Sequence, residues 1–110
     1  MIKIELNDLP KISLNEWYSG SKHWSKRVKI KNRYKFLVKS QFKGVFRKDN
    51  TYEVSYTFNF KTRPLDASNC VAMVKMIEDI IFEDDSYKIV HKISIRSKKS
   101  IKDSVIIEIN

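Results

Sequence analysis

Hydrophobic and polar positions alternate in four stretches of this chain and recur at helical spacing in two others. Ile2, Ile4 and Leu6 alternate with Lys3, Glu5 and Asn7, which predicts a short strand ahead of a turn at Pro10. Trp24, Val28, Ile30, Tyr34, Leu37, Val38, Phe42 and Val45 recur mostly at steps of three and four, predicting a helix over 24–46 that gives way to a turn at 47–50. Period two then returns over 51–61, with Tyr52, Val54, Tyr56, Phe58 and Phe60 on one face. Arg63-Pro64 breaks that strand, and Cys70, Met73, Val74, Ile77, Ile80 and Ile81 form an apolar stripe that predicts a helix over 69–82, with Ser68 or Asn69 as its N-cap. Tyr87, Ile89, Ile93 and Ile95 mark another long strand, and Val105, Ile107 and Ile109 a last one. The order β, α, β, α, β, β predicts a small single α+β domain over 1–110, a mixed or mostly antiparallel sheet with two helices packed on one face.

Composition narrows the function classes. With 110 residues, 42% of them hydrophobic, the chain can bury one core but not two, and disorder is not expected. A single cysteine, Cys70, forms no internal disulfide, and His23 and His91 beside it do not make a zinc-ligand set. Two glycines, Gly20 and Gly44, are too few for the Gly-rich loops that cradle nucleotide phosphates. No apolar run approaches the ~18 residues of a membrane span, and the opening MIKIELNDLP lacks the apolar core of a signal peptide. A cytoplasmic protein with no membrane partner is expected.

Charge placement adds more. Lys and Arg number 22 against 13 Asp and Glu, for a net charge of +9. From Trp17 to Lys48 there is no acid, while Lys22, Lys26, Arg27, Lys29, Lys31, Arg33, Lys35, Lys39, Lys43, Arg47 and Lys48 supply half of all the cations. Like charges this dense repel by a few tenths of a kcal/mol per i,i+4 pair, so a polyanion that relieves the repulsion is a natural partner. DNA or RNA backbone is the first candidate, a solvated lysine-rich face the plain alternative. Trp17, Tyr18 and Trp24 beside this run are candidates for base stacking or for the core.

Against that background six of the thirteen acids, Asp66, Glu78, Asp79, Glu83, Asp84 and Asp85, fall within twenty residues. They would repel DNA unless neutralised, and Mg²⁺ does this with hard carboxylate oxygens, water and substrate phosphates. Basic surface with clustered carboxylates is the chemistry of a metal-dependent nuclease. At 100° per residue Ala72, Lys75 and Asp79 share the flank of the second helix that faces away from the apolar stripe. If Asp84 and Asp85 open a strand they point to opposite faces, so only one of them joins Asp66 at a common metal.

The run Leu65-Asp66-Ala67-Ser68-Asn69, then Met73 to Asp79, then Glu83-Asp84-Asp85-Ser86-Tyr87, resembles the signature of the RusA-type Holliday junction resolvases, in particular their phage and prophage branch. Ser13 to Gly20 and His23-Trp24-Ser25-Lys26-Arg27 are similar to that branch too. The resemblance implies a homodimeric endonuclease that binds four-way DNA junctions and makes paired, symmetric cuts with Mg²⁺, for which Mn²⁺ can substitute. It implies Asp66 and Asp85 as the first metal ligands, Asp84 and Asp79 as second choices, Asp66, Lys75 and Asp85 as the catalytic set, and Asn69 as a further motif residue. Lys22, Lys26, Arg27, Lys29, Lys31, Arg33, Arg63 and Asn69 are then the expected DNA contacts. The second Asp of the family's D-x-D-N is Ser68 here, a neutral and weaker ligand, and the Lys falls about one helical turn later than in the simplest family pattern. Two other readings stand beside this one: a branched-DNA-binding protein of the same fold with little or no catalysis, and an RNA-binding protein.

Overall fold

Residues 52–60 form the strand around which the rest assembles. Val54, Tyr56, Phe58 and Phe60 are buried, while Glu53, Ser55 and Thr57 between them point the other way. The computed structural model describes residues 1–18, 24–47, 50–83 and 86–110. Its elements are strand β1 (Ile2–Asn7), helices α1 (Leu14–Tyr18) and α2 (Trp24–Gln41), strand β2 (Tyr52–Phe60), a 3₁₀ turn over Ala67–Cys70 leading directly into α3 (Val71–Ile81), and strands β3 (Val90–Lys99) and β4 (Ser104–Ile109).

The sheet order is β1-β4-β2-β3. β4 is antiparallel to both its neighbours, pairing Ile107 with Ile4 on one side and with Tyr56 on the other. β2 and β3 are parallel, Tyr52 opposite Val90 and Phe60 opposite Lys99, so α3 is the crossover that joins them. The sheet is therefore mixed. Ile4, Leu6, Val105, Ile107 and Ile109 share the buried face with the inward residues of β2, and Tyr34 and Val38 of α2 and Met73, Val74, Ile77 and Ile81 of α3 close over it. The opposite face carries Lys3, Glu5, Ser55, Thr57, Ser94 and Glu108, so the helices lie on one side, as the alternation implies.

Within this α+β frame the elements differ from expectation in four ways. A third short helix, α1, is set by a reciprocal capping box: the Glu16 amide donates to Ser13 Oγ (3.0 Å), and the Ser13 amide to Glu16 Oε1 (3.4 Å). α2 stops at Gln41 rather than 46, because Phe46 leaves the helical path to bridge Phe82, its amide donating to the Ile81 carbonyl (2.7 Å) and its ring packing on Phe42, Tyr52 and Phe82. α3 is capped neither by Ser68 nor by Asn69, since Cys70 takes the N-cap position and makes no side-chain capping bond. Tyr87 and Ile89 belong to a turn, and β3 begins at Val90.

Two polar contacts lie inside the core. Tyr56 Oη donates to Glu78 Oε2 (2.9 Å), both residues being buried, and burial together with that carboxylate pushes the Tyr56 hydroxyl far above its ordinary pKa. The Tyr34 hydroxyl donates to the Pro10 carbonyl and ties α2 to the turn after β1. Among the described residues no helix is long and apolar enough to cross a membrane.

Candidate nucleic-acid interface

α2 packs beside α3 with Tyr34 and Val38 turned into the core. From Trp24 to Gln41 it carries seven cations and no acid. At 100° per residue six of these divide into two rows, and the seventh, the half-buried Arg27, turns to the core side between them. Lys26, Lys29 and Arg33 lie on the turn away from α3 and are exposed. Lys31, Lys35 and Lys39, one helical turn apart, line a groove against α3 with a volume of about 370 Å³, together with Asn32, Met76, Asp79 and Ile80. A second depression of about 140 Å³ continues it past Lys31, Met76 and Asp79 to Trp17, Tyr18, Ala72 and Lys75.

The flank of α3 expected to carry Ala72, Lys75 and Asp79 is thus the wall and floor of this groove. Asp79 is the one carboxylate among its described lining residues, facing lysines from both helices. Trp17 is buried, with the Arg27 guanidinium 5.6 Å and the Lys31 ammonium 6.0 Å from its ring, so it packs into the protein rather than offering a face to bases. Arg27, an expected DNA contact, is correspondingly half-buried. Tyr18, by contrast, is 68% exposed at the groove's end.

Asp66 sits elsewhere. It precedes the 3₁₀ turn, is exposed, makes no side-chain capping bond, and accepts the Asn69 amide at its own carbonyl (2.9 Å). Its neighbours are Cys70, whose thiol is pushed up to about 11 by burial and by the Asp66 charge, and the end of β3, where Ser97 Oγ donates to the Leu65 carbonyl. Arg63 is exposed just beyond β2, on the same side of the fold, its carbonyl accepting the Lys11 ammonium. Asp79 lies eight residues after Val71, about 12 Å further along the helix axis, so one chain does not bring Asp66 and Asp79 to a shared cation whose ligands stand about 2 Å away. Lys75 belongs to the groove with Asp79, not to the Asp66 end.

Of the remaining expected site residues, Lys22, Asp84 and Asp85 lie outside the described residues, as does His23. Among the described residues no three His, Cys, Asp or Glu side chains gather as a metal group. His91 stands 3.4 Å from Glu53, both exposed, as a surface pair.

Three features escaped the sequence reading. Lys35 and Lys39 join Lys31 in one row, a relation written in their i, i+4, i+8 spacing. The helix α1, for which Ser13-x-x-Glu16 was the available sign, decides that Tyr18, already a candidate for stacking or for the core, stays outside the core. β3, an edge strand, carries His91, Lys92, Arg96, Lys98 and Lys99 and no acid, a second cationic element on the far side of the sheet from β1. No protein-family model, no curated protein and no solved structure matches this chain.

Proposed function

We propose that this chain binds branched DNA and cuts it as a Mg²⁺-dependent endonuclease, the activity that its resemblance to the RusA-type resolvases implies. The observation that carries the reading is the acid-free cationic surface of α2, which runs alongside the α3 flank that holds Lys75. Such a surface is costly in self-repulsion and suited to phosphate backbone, where contacts fix position rather than sequence.

The chain path supports a homodimer. α3 is a parallel crossover, so its two ends lie at opposite ends of β2 and β3. Leu65, next to Asp66, is bonded to Ser97 near the end of β3. Glu83 bonds to Phe46 beside the start of β2, and Ser86 accepts the Val90 amide at the start of β3. Seven residues of strand separate Val90 from Ser97, about 23 Å. Asp66 and Glu83 thus lie at opposite ends of this unit, which supports a cation site built by two copies of the chain, with the implied ligand Asp84 or Asp85 supplied by the copy that does not supply Asp66. Bound there, Mg²⁺ would neutralise charge on the phosphate and lower the pKa of an attacking water. A two-fold enzyme also suits a two-fold junction, since each strand cut meets an equivalent site.

The test is cleavage of a synthetic four-way junction in Mg²⁺. Asp66→Asn and Asp85→Asn are each expected to abolish cutting while binding survives. A mixture of the two variants, allowed to exchange subunits, should regain nicking, because half of the mixed sites then combine an intact Asp66 with an intact Asp85. Unchanged cleavage in both single variants rejects the metal assignment, and mixtures as dead as the parents reject the shared site. Ser68, in place of a family Asp, favours the second reading, a junction-binding protein without catalysis. Tight junction binding with no cutting in Mg²⁺ or Mn²⁺ would establish that one instead.

A further inference from the structure

We infer that the groove between α2 and α3 takes an unpaired nucleic-acid strand, with its phosphates along Lys31, Lys35 and Lys39 and one base against the ring of Tyr18. This rests on the nucleic-acid reading above and specifies the substrate feature that the groove selects.

Size comes first. About 370 Å³, extended by about 140 Å³ toward α1, is the space of a small ligand or a nucleotide or two, and a stiff duplex does not enter a slot between two packed helices. The walls are chemically unlike the floor. Lys31, Lys35 and Lys39 repeat every helical turn, an axial step of about 6 Å, and offer a row of ammonium donors to a backbone that passes along α2. Met76 and Ile80 of α3 close the bottom with apolar surface, which suits the face of a base and gives nothing to a hydrated phosphate. Tyr18, 68% exposed at the end of the groove and next to Lys75, supplies an aromatic face. Every base has such a face, so stacking here is tolerant of sequence. A row of cations over an apolar floor with an aromatic at the end is the arrangement that holds single strands.

A second copy of the chain is a poorer occupant. An isologous contact through this face would set the lysine row of one copy against that of the other. The groove's one described carboxylate, Asp79, is too little to offset it.

The experiment is binding in EDTA, where cutting does not intrude, of a thymidine oligonucleotide carrying one 2-aminopurine, as a single strand and annealed in a duplex. Tyr18→Ala should weaken single-strand binding at least about fivefold and abolish the 2-aminopurine fluorescence change, while Tyr18→Phe restores both. Duplex affinity should stay within about twofold. Lys35→Ala and Lys39→Ala should each lower the salt slope for the single strand by about 0.7. Equal loss for single strand and duplex in Tyr18→Ala, or no loss for either, overturns the inference. If lysine variants of α2 still weaken duplex and junction binding in that case, the nucleic-acid reading stands without it. If no variant changes binding to any DNA, both fall.

Discussion

Replacing Lys26, Lys29 and Arg33 together by alanine separates a functional cationic surface from a merely solvated one. All three are exposed on the turn of α2 away from the core, and α2 contains no acid with which they pair inside the helix. If each contacts one phosphate of duplex DNA, removing the three lowers the log–log salt slope of binding by about 2.7, at about 0.9 per contact. Across a fourfold rise in salt, from about 50 to 200 mM, the advantage of the wild type over the variant then shrinks about 40-fold. Stability should move the other way. Lys26–Lys29 and Lys29–Arg33 are like-charge neighbours at i,i+3 and i,i+4, each costing about 0.2–0.5 kcal/mol, and alanine is the better helix former. Relief of about 0.4–1 kcal/mol corresponds to a rise in Tm of about 2–4 °C for a chain of this size. Fluorescence anisotropy on a labelled junction at four or five salt concentrations measures the slope, and thermal unfolding measures the Tm. Parallel salt plots for wild type and variant would refute the contact assignment, and a fall in Tm would refute the claim that these charges strain the helix.

Tyr56→Phe should cost about 1.5–3 kcal/mol in urea unfolding, because it strips a buried carboxylate, Glu78, of a hydrogen bond. Tyr52→Phe, whose hydroxyl reaches only the Arg47 carbonyl at 3.4 Å, is the control and should cost under about 0.5 kcal/mol; equal losses would contradict the argument. Ser13→Ala removes one half of the capping box and should speed hydrogen exchange over 14–18 about fivefold, for a loss of about 1 kcal/mol, with unchanged exchange counting against the cap. The Cys70 thiol, buried and held at about 11, stays protonated at pH 8, so it should resist a thiol-specific disulfide reagent in the folded protein and react on unfolding; rapid reaction of the native chain would show that α3 opens at its start.

What could be read beforehand was what local periodicity encodes. β2, β4 and the apolar stripe of α3 follow from alternation and from the three-and-four spacing because each buries one face only. The helical wheel also sets Ala72, Lys75 and Asp79 on one flank facing away from the core; Lys75 and Asp79 are exposed there, whereas Ala72 is buried. Hidden were the events decided by distant residues. Nothing near Phe46 announces that it pairs with Phe82, so periodicity carries the end of α2 five residues too far. Alternation marks a strand without giving its direction, and the parallel match of β2 with β3 depends on α3 spanning the sheet between them. The candidate site follows the same division. A wheel gives the flank of α3 but not the lysine row of α2 beside it, and spacing in sequence brings Asp66 and Asp79 close where the axis of α3 holds them apart.

The position of β4 bears on how the chain acquires its shape during synthesis. This strand lies in the interior of the sheet, between β1 and β2, yet it follows both of them in chain order. Until residues 104–109 leave the ribosome, β1 and the β2–α3–β3 unit have α2 in common but no strand to pair with, and each waits with an uncovered edge. Closure is then a single late event that fastens both halves at once, and a nascent chain stalled short of Ser104 is a ready client for chaperones.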